Sequence, residues 1–194
     1  MTNEPSRRTM LSRRGVTFGP WCLALLLACL GSASTAQEQR PDPLMQLGRF
    51  VGTWSGTSMG QPGEGAVSRT YAKVMQGRYV QETNVSRYPP KEAGKLGEVH
   101  EHLSMFSYDK ARKAIVLRQF HIESFVNTFR QTSAPGEFPM VFESESFENF
   151  SNSWKARETY EFVSDDEFVE TFELAPPGKP FQVYSVNRLK RAMK

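Results

Sequence analysis

From Gly52 onward the chain is cut into short β-rich runs by turn signals, and no long amphipathic helical stretch interrupts them. The first run is Gly52 to Ser58, and the others fall at 66–75, 78–88, 98–108, 113–122, 124–132, 140–148, 154–163, 167–174 and 181–190. β-branched and aromatic residues alternate in them with polar ones, the period-two pattern of a strand with one buried face. Between them stand Pro62-Gly63, Gln76-Gly77, Pro89 to Gly97, Asp109-Lys110, Pro135-Gly136, Asn149 to Asn152, Ser164-Asp165-Asp166 and Pro176-Pro177-Gly178, residue types whose backbone preferences suit tight turns. About ten short strands with brief links are the profile of an antiparallel sandwich or barrel. Closure is favoured, because an open meander would leave two unpaired edges. The expected fold is therefore all-β, an up-and-down antiparallel β-barrel of about ten strands. A barrel that wide is not readily filled by its own side chains and tends to enclose a ligand cavity. Leu44, Leu47 and Phe50 or Val51, at near-helical spacing, add a short N-terminal helix or 3₁₀ segment across one end.

The first 36 residues read as an export signal: Arg7, Arg8, Arg13 and Arg14 precede the apolar run Trp21 to Leu30, which leads to the small-residue site Ser34-Thr35-Ala36. That run is about ten residues, half the length of a bilayer span. Cleavage after Ala36 leaves 158 of the 194 residues, a flexible lead at 37–43 and one domain at 44–194. The protein is then periplasmic or extracellular. Ser12-Arg13-Arg14-Gly15-Val16-Thr17-Phe18 is similar to a twin-arginine signal, and Leu26-Leu27-Ala28-Cys29 to a lipoprotein box that would hold the domain at a membrane through Cys29. Both cysteines, Cys22 and Cys29, fall in the leader, so the mature domain has no disulfide and no thiol chemistry. Of the 24 basic and 21 acidic residues the leader takes four Arg and one Glu, which leaves 20 of each sign and no case for a nucleic-acid partner.

Ionisable residues within strands are the candidates for function. The stretch Val116 to Arg130 (VLRQFHIESFVNTFR) joins two strands near Glu123 and carries Arg118, His121 and Asn127. Alternation puts Arg118 and His121 on opposite faces, so one of them at most lines a cavity unless a bulge intervenes. His100 and His102, at i and i+2 in Glu98-Val99-His100-Glu101-His102, share a face and could share a metal or a ligand; two His on one strand are a weak metal signal, and His with Glu between is common on a solvated face. Arg157 and Glu158 point to opposite faces, and whichever faces inward needs a partner; Arg118 with Glu158 is one cross-barrel pairing. Trp54 is either a cavity wall or a plug at one end. The acidic run Phe142 to Glu148 is a solvated strand face. No nucleophile elbow, helical zinc motif, phosphate loop or dinucleotide fingerprint is present.

Five segments together resemble a known family: Leu47 to Ser58 (LGRFVGTWSGTS), Gly97 to Asp109 (GEVHEHLSMFSYD), Leu117 to Asn127 (LRQFHIESFVN), Trp154 to Phe162 (WKARETYEF) and Gly178 to Arg191 (GKPFQVYSVNRLKR). They are similar to exported bacterial proteins of the nitrobindin-like, haem-binding β-barrel type, related in architecture to fatty-acid-binding proteins and other calycins. The resemblance implies a haem cofactor held by an axial His near the last strands, at which some members isomerise peroxynitrite. This chain departs there: 167–194 contains no His, and the last one is His121. His121, as the metal ligand, and the phenol of Tyr184 are the remaining candidates for iron, neither of them at the family's position.

The expected function is an exported barrel that binds a small hydrophobic or amphipathic molecule, haem among them, with Arg118, His121, Asn127, Arg157, Glu158, Tyr184 and Trp54 as candidate ligand-binding residues. The alternatives are a haem-dependent enzyme and a packed barrel that acts as an interaction module.

Overall fold

Alternating side chains along a strand leave a sheet with one face to bury, and closure into a barrel buries it. The computed structural model describes residues 42–192. A 3₁₀ turn, Met45–Phe50, precedes ten strands: β1 (Gly52–Gly60), β2 (Gly65–Val74), β3 (Tyr79–Tyr88), β4 (Glu98–Asp109), β5 (Ala114–His121), β6 (Val126–Gln131), β7 (Met140–Glu148), β8 (Lys155–Ser164), β9 (Glu167–Ala175) and β10 (Gln182–Arg191). Neighbours in sequence pair antiparallel, and β1 also pairs with β10 from Trp54↔Arg191 to Gly60↔Ser185, which closes the barrel. The expected N-terminal helix is a six-residue 3₁₀ turn rather than an α-helix. The export signal with Cys22 and Cys29, and all but the end of the lead at 37–43, lie outside the described residues.

One end of the barrel is filled with apolar side chains. The 3₁₀ turn buries Leu47 and Phe50, and the Phe50 ring sits 4.8 Å from Phe162, 5.2 Å from Phe168, 5.4 Å from Tyr71 and 5.5 Å from Tyr160. Trp54 is fully buried beneath this turn and donates its indole N–H to the Phe50 carbonyl at 2.6 Å. Arg191 places its guanidinium 4.2 Å over the Trp54 ring and donates to the Arg49 and Val51 carbonyls, each at 2.9 Å. A cation over an indole face is worth about 0.5–2 kcal/mol, so the last strand ties down the turn that precedes the first. Trp54 is thus a plug and no part of a ligand-binding wall.

Along several strands the inward positions change character. On β3 they run from Val80 through Glu82, Asn84 and Ser86 to Tyr88, and on β10 from Leu189 through Asn187 to Ser185. The apolar half therefore lies beneath the 3₁₀ turn, and the polar half towards the opposite end.

The β1–β10 seam that closes the barrel needs small residues. A Cβ at Gly56 would run into the Arg188 carbonyl and come within 3.0 Å of the Leu189 Cα. Gly56→Ala should therefore cost on the order of 2 kcal/mol by forcing the two strands apart. A urea midpoint unchanged from the parent's would contradict this account of the seam.

Candidate functional site

The open end holds a cavity of about 270 Å³ lined by eight of the ten strands or their connections. Its floor is ionic. Arg69 on β2 is 2 % exposed and lies against Glu170 of β9, with its Nε 3.3 Å from Glu82 of β3. The same Nε donates to Asn84 Oδ1 at 2.9 Å, and Asn84 donates in turn to Ser86 Oγ at 3.1 Å. Asn187 on β10 donates to Glu170 at 3.4 Å. Glu82 Oε2, Ser104 Oγ and Asn187 Oδ1 have no hydrogen-bond partner among the described residues.

Burial works against every charge in this floor, and proximity decides which survive. Desolvation opposes the Arg69 cation, but Glu170 and Glu82 outweigh it and push its pKa up. Burial also raises Glu82, and there Arg69 and His102 prevail, holding the carboxyl down at about 2. Glu158 on β8 fares differently. Its strand neighbours are Phe142 and Phe172, and burial followed by the nearby Glu170 pushes it up to about 8. It is a neutral acid at pH 7, and it accepts a 2.5 Å hydrogen bond from the Tyr160 hydroxyl. Three carboxyls and one guanidinium thus share the interior, with one carboxyl kept protonated.

The rim is aromatic and imidazole-rich. β5 and β6 are joined by residues 122–125, where Ser124 takes a left-handed φ of 69°. This turn brings Phe125 back over His121, the two rings stacked at 4.2 Å. His121 Nε2 lies 3.2 Å from Asn127 Nδ2, an amide donor, so this nitrogen accepts. Burial, with His102 beside it, lowers the His121 pKa to about 3 and keeps the ring neutral. His102 pairs with His121 across β4 and β5 and reaches Glu82 Oε1 through its Nε2 at 3.2 Å. His100 is engaged at both nitrogens, by Glu123 at 2.5 Å and Glu98 at 2.9 Å. Tyr184 occupies the bulge in β10, where pairing with β9 skips between Val183 and Ser185. The extra residue turns Tyr184 to the cavity beside Ser185, with its ring 5.8 Å from Phe172.

Of the residues singled out from the sequence, the cavity collects His100, His102, His121, Asn127, Glu158 and Tyr184. It does not collect Arg118, Arg157 or Trp54. Arg118 points outward and donates to Ser107 Oγ at 3.2 Å, so His121 is the inward member of that pair. Arg157 also faces out, paired with Glu143 at 3.0 Å and lying 3.9 Å over the Phe181 ring. The pairing of Arg118 with Glu158 does not form; Tyr160 is the partner of Glu158. Missed altogether were Arg69, Glu82 and Glu170. Their signal is alternation: Arg69 lies between Val67 and Tyr71, and Glu170 between Phe168 and Phe172, on the inward faces of β2 and β9.

The described residues hold no group of three or more His, Cys, Asp or Glu placed to bind a metal ion. The residues present also do not fit the haem that the sequence resemblance implies. Both His100 nitrogens, His102 Nε2 and His121 Nε2 are already committed. Burial raises the Tyr184 pKa, away from the phenolate an iron ligand would need. The volume of about 270 Å³ is just below the roughly 300–1,000 Å³ of ligand pockets, and a tetrapyrrole with its substituents is larger than it.

No protein-family model matches the chain, and no curated protein does. Among solved structures it is similar to Rv2717c from M. tuberculosis, with a TM-score of 0.51 and 16 % identity over 78 % of this chain and 98 % of that one. At that identity the likeness concerns the fold alone, and a barrel of this kind is compatible with ligand binding.

The Glu158 carboxyl titrates near 8 when folded, against an ordinary 4.5. Between those values the folded state holds a proton that the unfolded state lacks, so stability falls as pH rises, by at most about 1.4 kcal/mol per pH unit from this group. Glu158→Gln keeps an acceptor for Tyr160 and removes the proton. Its urea midpoint should drop less than the parent's between about pH 5 and pH 8; equal drops would contradict the assignment.

Proposed function

We propose that the protein is a binding barrel for a small amphipathic molecule, which enters at the end opposite Trp54. One observation carries this reading: the barrel is plugged by aromatic side chains beneath the 3₁₀ turn and opens at its other end onto a cavity with a buried ionic floor and a rim of Tyr88, Phe125, Phe172 and Tyr184. A barrel that served only as a scaffold would be expected to fill that end. Burying four ionisable groups costs several kcal/mol, a cost that a polar floor for a ligand would explain. The leader-like segment 1–36 supports placing the mature domain outside the cytoplasm, in the periplasm or beyond the cell, with anchoring through Cys29 as the alternative. The nitrobindin-like architecture belongs to the same proposal, supported by the segments around Gly52-Thr53-Trp54-Ser55-Gly56 and the closing strand. Haem has less support than an organic ligand, because both His100 nitrogens and the Nε2 atoms of His102 and His121 are engaged and the floor is acidic.

Native mass spectrometry of the freshly purified protein tests the proposal. The expected spectrum contains an adduct of small-molecule mass that is lost in Phe172→Ala and Tyr184→Ala. A spectrum of bare protein, together with no uptake of the neutral dye Nile red, would favour a packed interaction module. Haemin added to the protein should leave its Soret band unchanged; a shift abolished by His121→Ala would restore haem.

A further inference from the structure

We infer that the ligand carries a cationic, hydrogen-bond-donating head, of the primary ammonium class, which sits on the cavity floor between Glu158 and Asn187 while its apolar body lies against the rim. This deepens the binding-barrel reading and rests on it. A carboxylate head, the other common choice for a barrel with a buried Arg, is disfavoured by charge. Arg69 is the cation of the floor, and it is already neutralised by Glu170, its closest partner, and by Glu82 at 3.3 Å. With Arg69, Glu82 and Glu170 ionised the floor carries a net charge of −1 before any ligand enters, and ionisation of Glu158 makes it −2.

The available hydrogen-bonding atoms point the same way. Asn187 is 7 % exposed, lines the cavity, and spends its amide N–H on Glu170, which leaves its Oδ1 unpartnered. Glu158 accepts from Tyr160 at Oε2 only. An ammonium brings three donors and no acceptor, and so would satisfy these oxygens. Aromatic faces at the rim also favour a cation passing between them.

Entry of an ammonium would change the protonation of the floor. Glu158 is faced by Glu170 from β9, Glu82 from β3, Arg69 from β2 and Tyr160 on its own strand, while β7 contributes the apolar Phe142. Burial, then Glu170 and Glu82, keep its proton on in the free protein, and an adjacent ammonium counters their effect. The carboxyl then releases its proton to solvent as the ion pair forms. Binding should therefore tighten as pH rises towards the free carboxyl's pKa, by up to about tenfold per pH unit for one linked proton, and level off above it.

Displacement of Nile red by octylammonium, octanoate and octanol, measured between about pH 6 and pH 8, separates the possibilities. The expected result is displacement by octylammonium at the lowest concentration, tightening with pH, with octanoate weakest. Glu158→Gln should flatten the pH dependence, and Asn187→Leu, which removes the free acceptor, should weaken octylammonium several-fold. Circular dichroism confirms that each variant is folded. If octanoate or octanol displaces the dye as well as octylammonium, or if the pH dependence survives in Glu158→Gln, the cationic head is wrong and the binding barrel stands. If Nile red does not bind at all, both readings fall.

Discussion

The interior of this barrel depends on Arg69, held between Glu170 and Glu82 with almost no access to water. Moving a single unpaired charge into such a place costs many kcal/mol, and even a pair barely recovers the loss unless its geometry is good. Here one cation meets two carboxylates drawn from β3 and β9, strands far apart in sequence that only a closed sheet brings to the same level. Asn84 and Asn187, each paired across a strand with a member of this group, add hydrogen bonds to Arg69 and to Glu170. The cluster therefore specifies register and closure as much as it contributes energy. It also determines the state of its neighbour. Burial, followed by the nearby Glu170, disfavours a further charge on Glu158, and it stays protonated.

That arrangement explains why the barrel has two unlike halves. Beneath the 3₁₀ turn, Phe50, Trp54, Phe168 and their neighbours pack with few polar groups, each of them satisfied: the indole N–H by the Phe50 carbonyl, and the hydroxyls of Tyr71 and Tyr160 by Arg69 and Glu158 of the floor. Beyond the ionic floor most inward positions, Ser86, Gln119, Asn127 and Ser185 among them, are small or polar, and they leave space instead of filling it. A bulge at Tyr184 and a tight turn at Ser124 then aim aromatic rings at the opening, where plain alternation would have sent Tyr184 outward. The result is a pocket whose depth is electrostatic and whose mouth is apolar, a combination suited to a molecule with one charged end.

The fold was largely legible in the sequence because hairpin connections and period-two patterning are local signals. The runs at 140–148 and 167–174 coincide with β7 and β9 to within one residue. The site was legible only in part. His121 and Arg118 could be recognised as rivals, since they occupy opposite faces, but the apolar neighbours Leu117 and Ile115 do not reveal on their own which face is enclosed. Arg69 is inconspicuous because Ser68 and Thr70 flank it with polar residues, so the local sequence reads as a solvated strand. Reading every second residue shows Val67, Arg69 and Tyr71 on one face, which marks the Arg as buried. Its partners could not be read this way, because Glu82 and Glu170 meet it through the barrel's closure and register. Tyr184 stands out in the sequence for its chemistry, and the bulge explains its orientation.

The central claim is that Arg69 is committed to Glu82 and Glu170 as one coupled unit, and a double-mutant cycle on unfolding free energy addresses it directly. Arg69→Met and Glu170→Gln should each be destabilising, Arg69→Met by about 3–5 kcal/mol because it strands two buried carboxylates. Combined, they should cost at least about 1 kcal/mol less than the sum of the separate effects. Additive losses, or an Arg69→Met variant as stable as the parent, would contradict the account.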